Sequence, residues 1–160
     1  PGGTRSPWAP PPGDRARLGR ARHDAFWAAL AMRPGSTAWT TDVCVPISRL
    51  AECILETRTD VRASSLLAPL VGHVGDGNFH LIFVLERGNA REFAEAKAIN
   101  ARLVRRALAM GGTCTGEHGV GVGKMDYLPE EHGDALDVMK AIKRALDPGN
   151  RMNPGKMFRL

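Results

Sequence analysis

The chain has little cysteine, a single tyrosine and no long apolar run. Its three cysteines, Cys44, Cys53 and Cys114, are odd in number and show no C-x-x-C spacing. That argues against a disulfide scaffold and fits a reducing compartment. Aromatic residues make up only 6% of the chain, and no nucleic-acid recognition motif is present. Apolar residues make up 43%, yet no run approaches the roughly 20 residues of a membrane-spanning helix. The net charge is +5, of which +4 sits on the first 22 residues, where Arg5, Arg15, Arg17, Arg20 and Arg22 face only Asp14. A basic balance confined to one short tail argues against a nucleic-acid partner.

Glycine, proline and a 160-residue length are what the chain does have, enough for one domain with a core. Residues 1–19, PGGTRSPWAPPPGDRARLG, are rich in Pro, Gly and Arg and are expected to be disordered. They hold no apolar stretch of a secretory signal, and three consecutive prolines argue against the amphipathic helix of a transit peptide. From Arg20 to Met32 a helix is expected, closed by Pro34-Gly35. AWTTDVCVP over 38–46 reads as a strand, and Ser48 caps a helix carrying Leu50, Ile54 and Val61. Strands follow over 66–74 and 79–85, then a long helix from Phe93 to Met110 closed by Gly111-Gly112. A Gly-rich loop runs to Lys124, and a last helix behind Asp134 ends at Asp147-Pro148-Gly149-Asn150. The fold class is α+β, a mostly antiparallel sheet with helices packed on it, formed by residues 20–160. Phe26 and Trp27 fit core or interface positions.

Residues 72–80 read GHVGDGNFH. Asp-Gly between apolar runs is a strong hairpin signal. With Asp76-Gly77 at the turn centre, His73 stands opposite His80 on one face, Cβ atoms about 4.5–5.5 Å apart. Two such imidazoles suit two ligands of one metal, or are simply polar residues on an exposed face.

Residues 111–124 read GGTCTGEHGVGVGK. Glu117 and His118 stand among glycines that offer them little to pack on. Glu117 can supply a third, oxygen ligand and leave one metal position open for substrate. His118, if not a ligand, is suited to act as a general base near neutral pH. GVGVGK is not a P-loop, because His118 stands where the first glycine belongs and Met125 replaces Ser/Thr. Cys114 can be a nucleophile or a small buried thiol; no orienting partner is evident for the first role. Asp42 and Asp76 read as structural.

GHVGDGNFH, GTCTGEHGVGVGK and LDPGNRMNPGKMF together resemble the C-terminal domain of the FAD-linked D-2-hydroxy-acid dehydrogenases. TTDVCVPISRL looks closest to the cytochrome-linked D-lactate dehydrogenases of that family. The resemblance runs from about Asp14 to Leu160 and implies a role at each matched position. His73, His80 and Glu117 match ligands of a divalent metal, zinc or manganese. His118 matches the catalytic base. Arg22 matches an arginine gripping the substrate carboxylate, with Arg33 a weaker second candidate. Asn153 lies in a flavin-contacting segment. The implied reaction is oxidation of D-lactate to pyruvate with hydride transfer to FAD. The implied partners are a small 2-hydroxy-acid substrate, an FAD-binding domain or subunit, and an electron acceptor such as cytochrome c or quinone.

Departures from the family pattern are instructive. Gly19 replaces a tryptophan usual three residues before the arginine. Ile82 stands where members acting on 2-hydroxyglutarate have asparagine, which favours a smaller substrate. The FAD-binding domain that precedes this region in the family is absent from these residues, so the chain reads as a fragment, expected to be inactive alone. The alternatives are another 2-hydroxy acid such as glycolate, a metal-dependent hydrolase built on the same residues, and an inactive fragment. The implied location is cytoplasmic or membrane-peripheral in a bacterium and mitochondrial in a eukaryote.

Overall fold

A computed structural model describes residues 12–160, with residues 12–15, Leu18 and Arg22 described by backbone only. The first eleven residues of the expected disordered stretch lie outside the described residues. The remainder of that stretch is helical: α1 runs from Pro12 to Ala31, eight residues longer at its start than expected. Proline is favoured in a first helical turn because its fixed φ suits the helix and its missing N–H costs nothing there. Gly19 inside the helix weakens it by about 1 kcal/mol but does not break it. Gly35, at φ +81°, lets the chain reverse behind it.

The expected strand 38–46 is split. β1 (Thr37–Thr40) and β2 (Val43–Cys44) both pair antiparallel with β4 (Asn78–Leu85), Thr37 facing Leu85 and Val43 facing Phe79. The register is common to both, so β1 and β2 are one strand interrupted at Thr41-Asp42. There Thr41 N–H donates to Leu81 O at 3.0 Å, but Leu81 N–H donates to Thr41 Oγ1 at 2.9 Å. The hydroxyl replaces the backbone acceptor, and the Thr41 carbonyl is left for another donor.

β3 (Leu70–His73) pairs with the other side of β4. The register differs from expectation: His73 faces Asn78, and Val71 faces His80. The turn is a four-residue loop, 74–77, not centred on Asp76-Gly77. Val45 N–H donates to Gly77 O at 3.0 Å, and a Cβ on Gly77 would lie 2.0 Å from Val45 O. This tertiary bond holds Gly77, at φ +77°, against the end of β2 and overrides the local turn preference. Moving the partner by two residues keeps His73 and His80 on one face, as diagonal neighbours.

All eight residues of β4 are buried, which makes it the centre of the molecule. Phe79, Leu81, Phe83 and Leu85 join the main core with α2 (Ile47–Arg62) and α3 (Ala90–Ala109). Ile82 and Val84 turn the other way and pack with Ala29 of α1. Asn78 and His80 share that second face by alternation. Pro46, not Ser48, holds the N-cap position of α2, because the helix starts directly where proline stops the strand. Leu128–His132 forms a short α4 behind a 3-10 turn, an element the glycine-dominated pattern did not announce. Its Leu128 and the Leu136 of α5 (Ala135–Leu146) close the main core. The result is the expected α+β arrangement: a mostly antiparallel sheet with helices on it. No helix among the described residues is long and apolar enough to cross a membrane.

Candidate metal centre

On the α1-facing side of the sheet, β3 and β4 bring two imidazoles together, their ring centres 5.8 Å apart and nearly perpendicular. The Gly-rich loop lowers Glu117 between them. Its Oε1 lies 3.2 Å from His73 Nε2 and 3.1 Å from His80 Nε2. His118 follows directly, its ring stacked on that of His80 at 4.9 Å and its Nε2 3.8 Å from Glu117 Oε1. His80 is buried, whereas the Glu117 and His118 side chains are about half exposed, at 49% and 47%.

The interrupted strand sets the chemistry of His80. Its Nδ1 lies 2.9 Å from the Thr41 carbonyl oxygen. A carbonyl only accepts, so Nδ1 carries a proton, and Nε2 is the ring nitrogen left on the Glu117 side to meet a cation. A ligating histidine is oriented in this way, by a second hydrogen bond behind the ring. Two imidazole nitrogens and one carboxylate oxygen, all within 4.8 Å of one another, form a donor set that fits a divalent cation.

Beneath the loop lies Asp42, in the gap between β1 and β2. Its carboxylate accepts from the N–H groups of Gly116, Glu117 and His118, each at 3.0 Å, and from Lys124 Nζ at 2.6 Å. Burial acts to raise the pKa of this carboxyl. Lys124, the loop amides and Asn78 outweigh burial and hold it far below the ordinary carboxylate range.

These groups open into a cavity of about 590 Å³. His23 and Phe26 wall it from α1, and Thr40, Val71 and Ile82 from the sheet. His73, His80, Glu117 and His118, expected from the sequence, thus come together at one place. Arg22 falls on α1, but its side chain lies outside the described residues. Arg33 is elsewhere: Nη1 lies 2.9 Å from both Glu92 carboxylate oxygens, a pairing that removes it as a candidate for the substrate. Asn153 is exposed at φ +47° on the C-terminal segment and does not line the cavity. Cys114 is a buried thiol; burial, followed by the Glu131 carboxylate, pushes its pKa up to about 12, which leaves no thiolate at neutral pH. Sequence reasoning missed His23, which immediately follows Arg22, and gave Phe26 a core or interface position, whereas it stands one helical turn further along the cavity wall. Asp42 carried a signal too, an acid inside a Thr/Val strand, but its partners lie far away in the chain.

Residues 2–157 match the family described as FAD linked oxidases, C-terminal domain. The chain is 52% identical over 160 residues to a Danio rerio protein named "Probable D-lactate dehydrogenase, mitochondrial", covering 99% of this chain and 32% of that one. It is 48% identical over 152 residues to an Arabidopsis thaliana "D-lactate dehydrogenase [cytochrome], mitochondrial", covering 94% and 27%. A Bacillus subtilis glycolate oxidase subunit is 36% identical over 142 residues, covering 88% and 30%. The chain therefore spans a third or less of the length of these relatives. It belongs to the FAD-linked oxidases and corresponds to their C-terminal domain.

Proposed function

We propose that this chain is the substrate- and metal-binding portion of an FAD-dependent D-2-hydroxy-acid dehydrogenase that oxidises D-lactate to pyruvate. The observation that carries the reading is the convergence of His73 Nε2, His80 Nε2 and Glu117 Oε1 at the floor of a cavity with His118 beside them. His73, His80 and Glu117 would hold the cation, zinc or manganese. When bound, a divalent cation supplies Lewis acidity towards the substrate's hydroxyl and carboxylate oxygens. When bound, the flavin supplies the acceptor for the α-hydrogen, which leaves carbon with its electron pair.

The chain's own residues do the rest. His118 takes the hydroxyl proton on Nε2, and the C–O bond becomes the carbonyl of a 2-oxo acid. Arg22 grips the substrate carboxylate, a task that suits a planar guanidinium. Asn153, on a segment that Met157 N–H ties to Gly121 O, contacts the flavin. Ile82 and Phe26 offer an apolar wall to the substrate side chain. A second carboxylate buried against Ile82 would lack a partner and cost several kcal/mol, which disfavours doubly acidic substrates. The glycolate oxidase relative keeps glycolate as the second reading. The word "cytochrome" in the Arabidopsis relative's name supports a cytochrome over quinone as acceptor, and "mitochondrial" supports a mitochondrial location.

The test is bound metal in the purified chain. About one zinc or manganese per chain is expected. His73→Ala and Glu117→Ala should each abolish it while leaving a cooperative melt. A folded wild-type chain that takes up neither ion overturns the reading.

A further inference from the structure

The placement of Glu117 and His118 has a cause of its own. Both stand on an irregular loop with no helix or strand to fix them. That loop is tied down by one carboxylate. Asp42 is only 2% exposed and takes three consecutive backbone amides, those of residues 116 to 118, into a nest that suits an anion. Lys124, at the far end of the same loop, donates to Asp42 Oδ2 at 2.6 Å, to the Asp42 carbonyl at 3.2 Å and to Thr115 Oγ1 at 3.0 Å. Asn78, two residues before His80, donates from Nδ2 to Asp42 Oδ1 at 2.9 Å. One buried anion thus joins the strand of His80 to the loop of Glu117.

We propose that Asp42 is the positioning residue of this site: it fixes the backbone of Glu117 and His118 and so holds the Glu117 carboxylate at Nε2 of His73 and His80. The inference rests on the reading of Glu117 as a metal ligand. Asp42 lies close enough to His80 and His118 to be considered a ligand itself, but its lone pairs are committed elsewhere. Oδ2 accepts from Lys124, Gly116, His118 and Thr115, and Oδ1 from Asn78 and Glu117. A glycine-rich loop left free would have to be ordered at each binding event. With Asp42 in place, that ordering is complete in the folded chain.

Two measurements on the 160-residue chain test this. In the wild type, the amides of Gly116, Glu117 and His118 should exchange with solvent more slowly than those of Gly119 and Gly121 on the same loop. Comparable exchange rates would overturn the proposal, without recourse to any variant. In Asp42→Asn, which keeps the size of the side chain and loses its charge, the Kd for Zn²⁺ should rise about 10- to 100-fold while the metal-free protein still melts cooperatively. Zn²⁺ binding by folded Asp42→Asn within about twofold of wild type would overturn it equally. Slow amides in a wild-type chain that takes up no Zn²⁺ would support the hold of Asp42 on the loop and sink the metal reading instead.

Discussion

At position 116 there is room for a hydrogen and nothing more. A Cβ there would lie 1.8 Å from Asn78 Nδ2 and 2.7 Å from Asp42 Oδ1. Both atoms belong to a buried network and cannot retreat as an exposed side chain would. Gly116→Ala is expected to lower stability by about 1–3 kcal/mol, read from the melting of the metal-free chain, and to weaken Zn²⁺ uptake. Gly123→Ala is the matched control, since a Cβ there meets nothing within 4 Å. Unchanged melting and affinity in Gly116→Ala would mean that the loop does not depend on this contact. The site residues differ in how far the sequence discloses them. His73, His80, Glu117 and His118 are legible because imidazoles and a carboxylate among glycines have little to pack on. Asp42 is legible only as an acid in a strand. Its amide donors lie 74 to 76 residues further on, and no local pattern reports such a partner.

Among the elements, α2, α3 and α5 follow from apolar spacing, and the ends of α3 and α5 also from the glycines and the proline behind them. The hairpin register does not follow, because the bond from Val45 to Gly77 decides it from outside the hairpin. The start of α1 was hidden by prolines and glycines that a helix tolerates in its first turns. The end of α5 is held by Asp147, whose carboxylate pairs with Lys143 and accepts from the N–H groups of Arg151 at 2.9 Å and Met152 at 2.8 Å. Lys143 and then these amides lower the Asp147 pKa from 3.8 to about 2. A carboxyl with a depressed folded pKa stabilises the fold above its unfolded value and stops doing so as pH falls through the folded one. Between pH 5 and about pH 2 the wild type should therefore lose more melting temperature than Asp147→Asn. Parallel pH profiles for the two proteins would show that Asp147 does not anchor this end of α5.

For the whole molecule, the relevant scale is set by its relatives, of which the chain spans 32% or less in the comparisons with the fish and plant proteins. On the function proposed above, a cation at His73, His80 and Glu117 with His118 as base still needs a hydride acceptor to complete an oxidation. The purified chain should bind metal yet show no dye-coupled oxidation of D-lactate; supplying a relative's flavin-bearing portion should restore turnover. Turnover by the chain alone would show that an electron acceptor operates within these 160 residues.

The contacts from Asp42 to the Gly-rich loop reach from 74 residues away at Gly116 to 82 at Lys124. The entropy of closing a span of that length must be lost before any bond repays it. A nascent chain that has emerged only as far as β4 already holds both histidines, but not the carboxylate that completes the trio. The trio of His73, His80 and Glu117 is therefore assembled only once the span from Asp42 to the loop has closed.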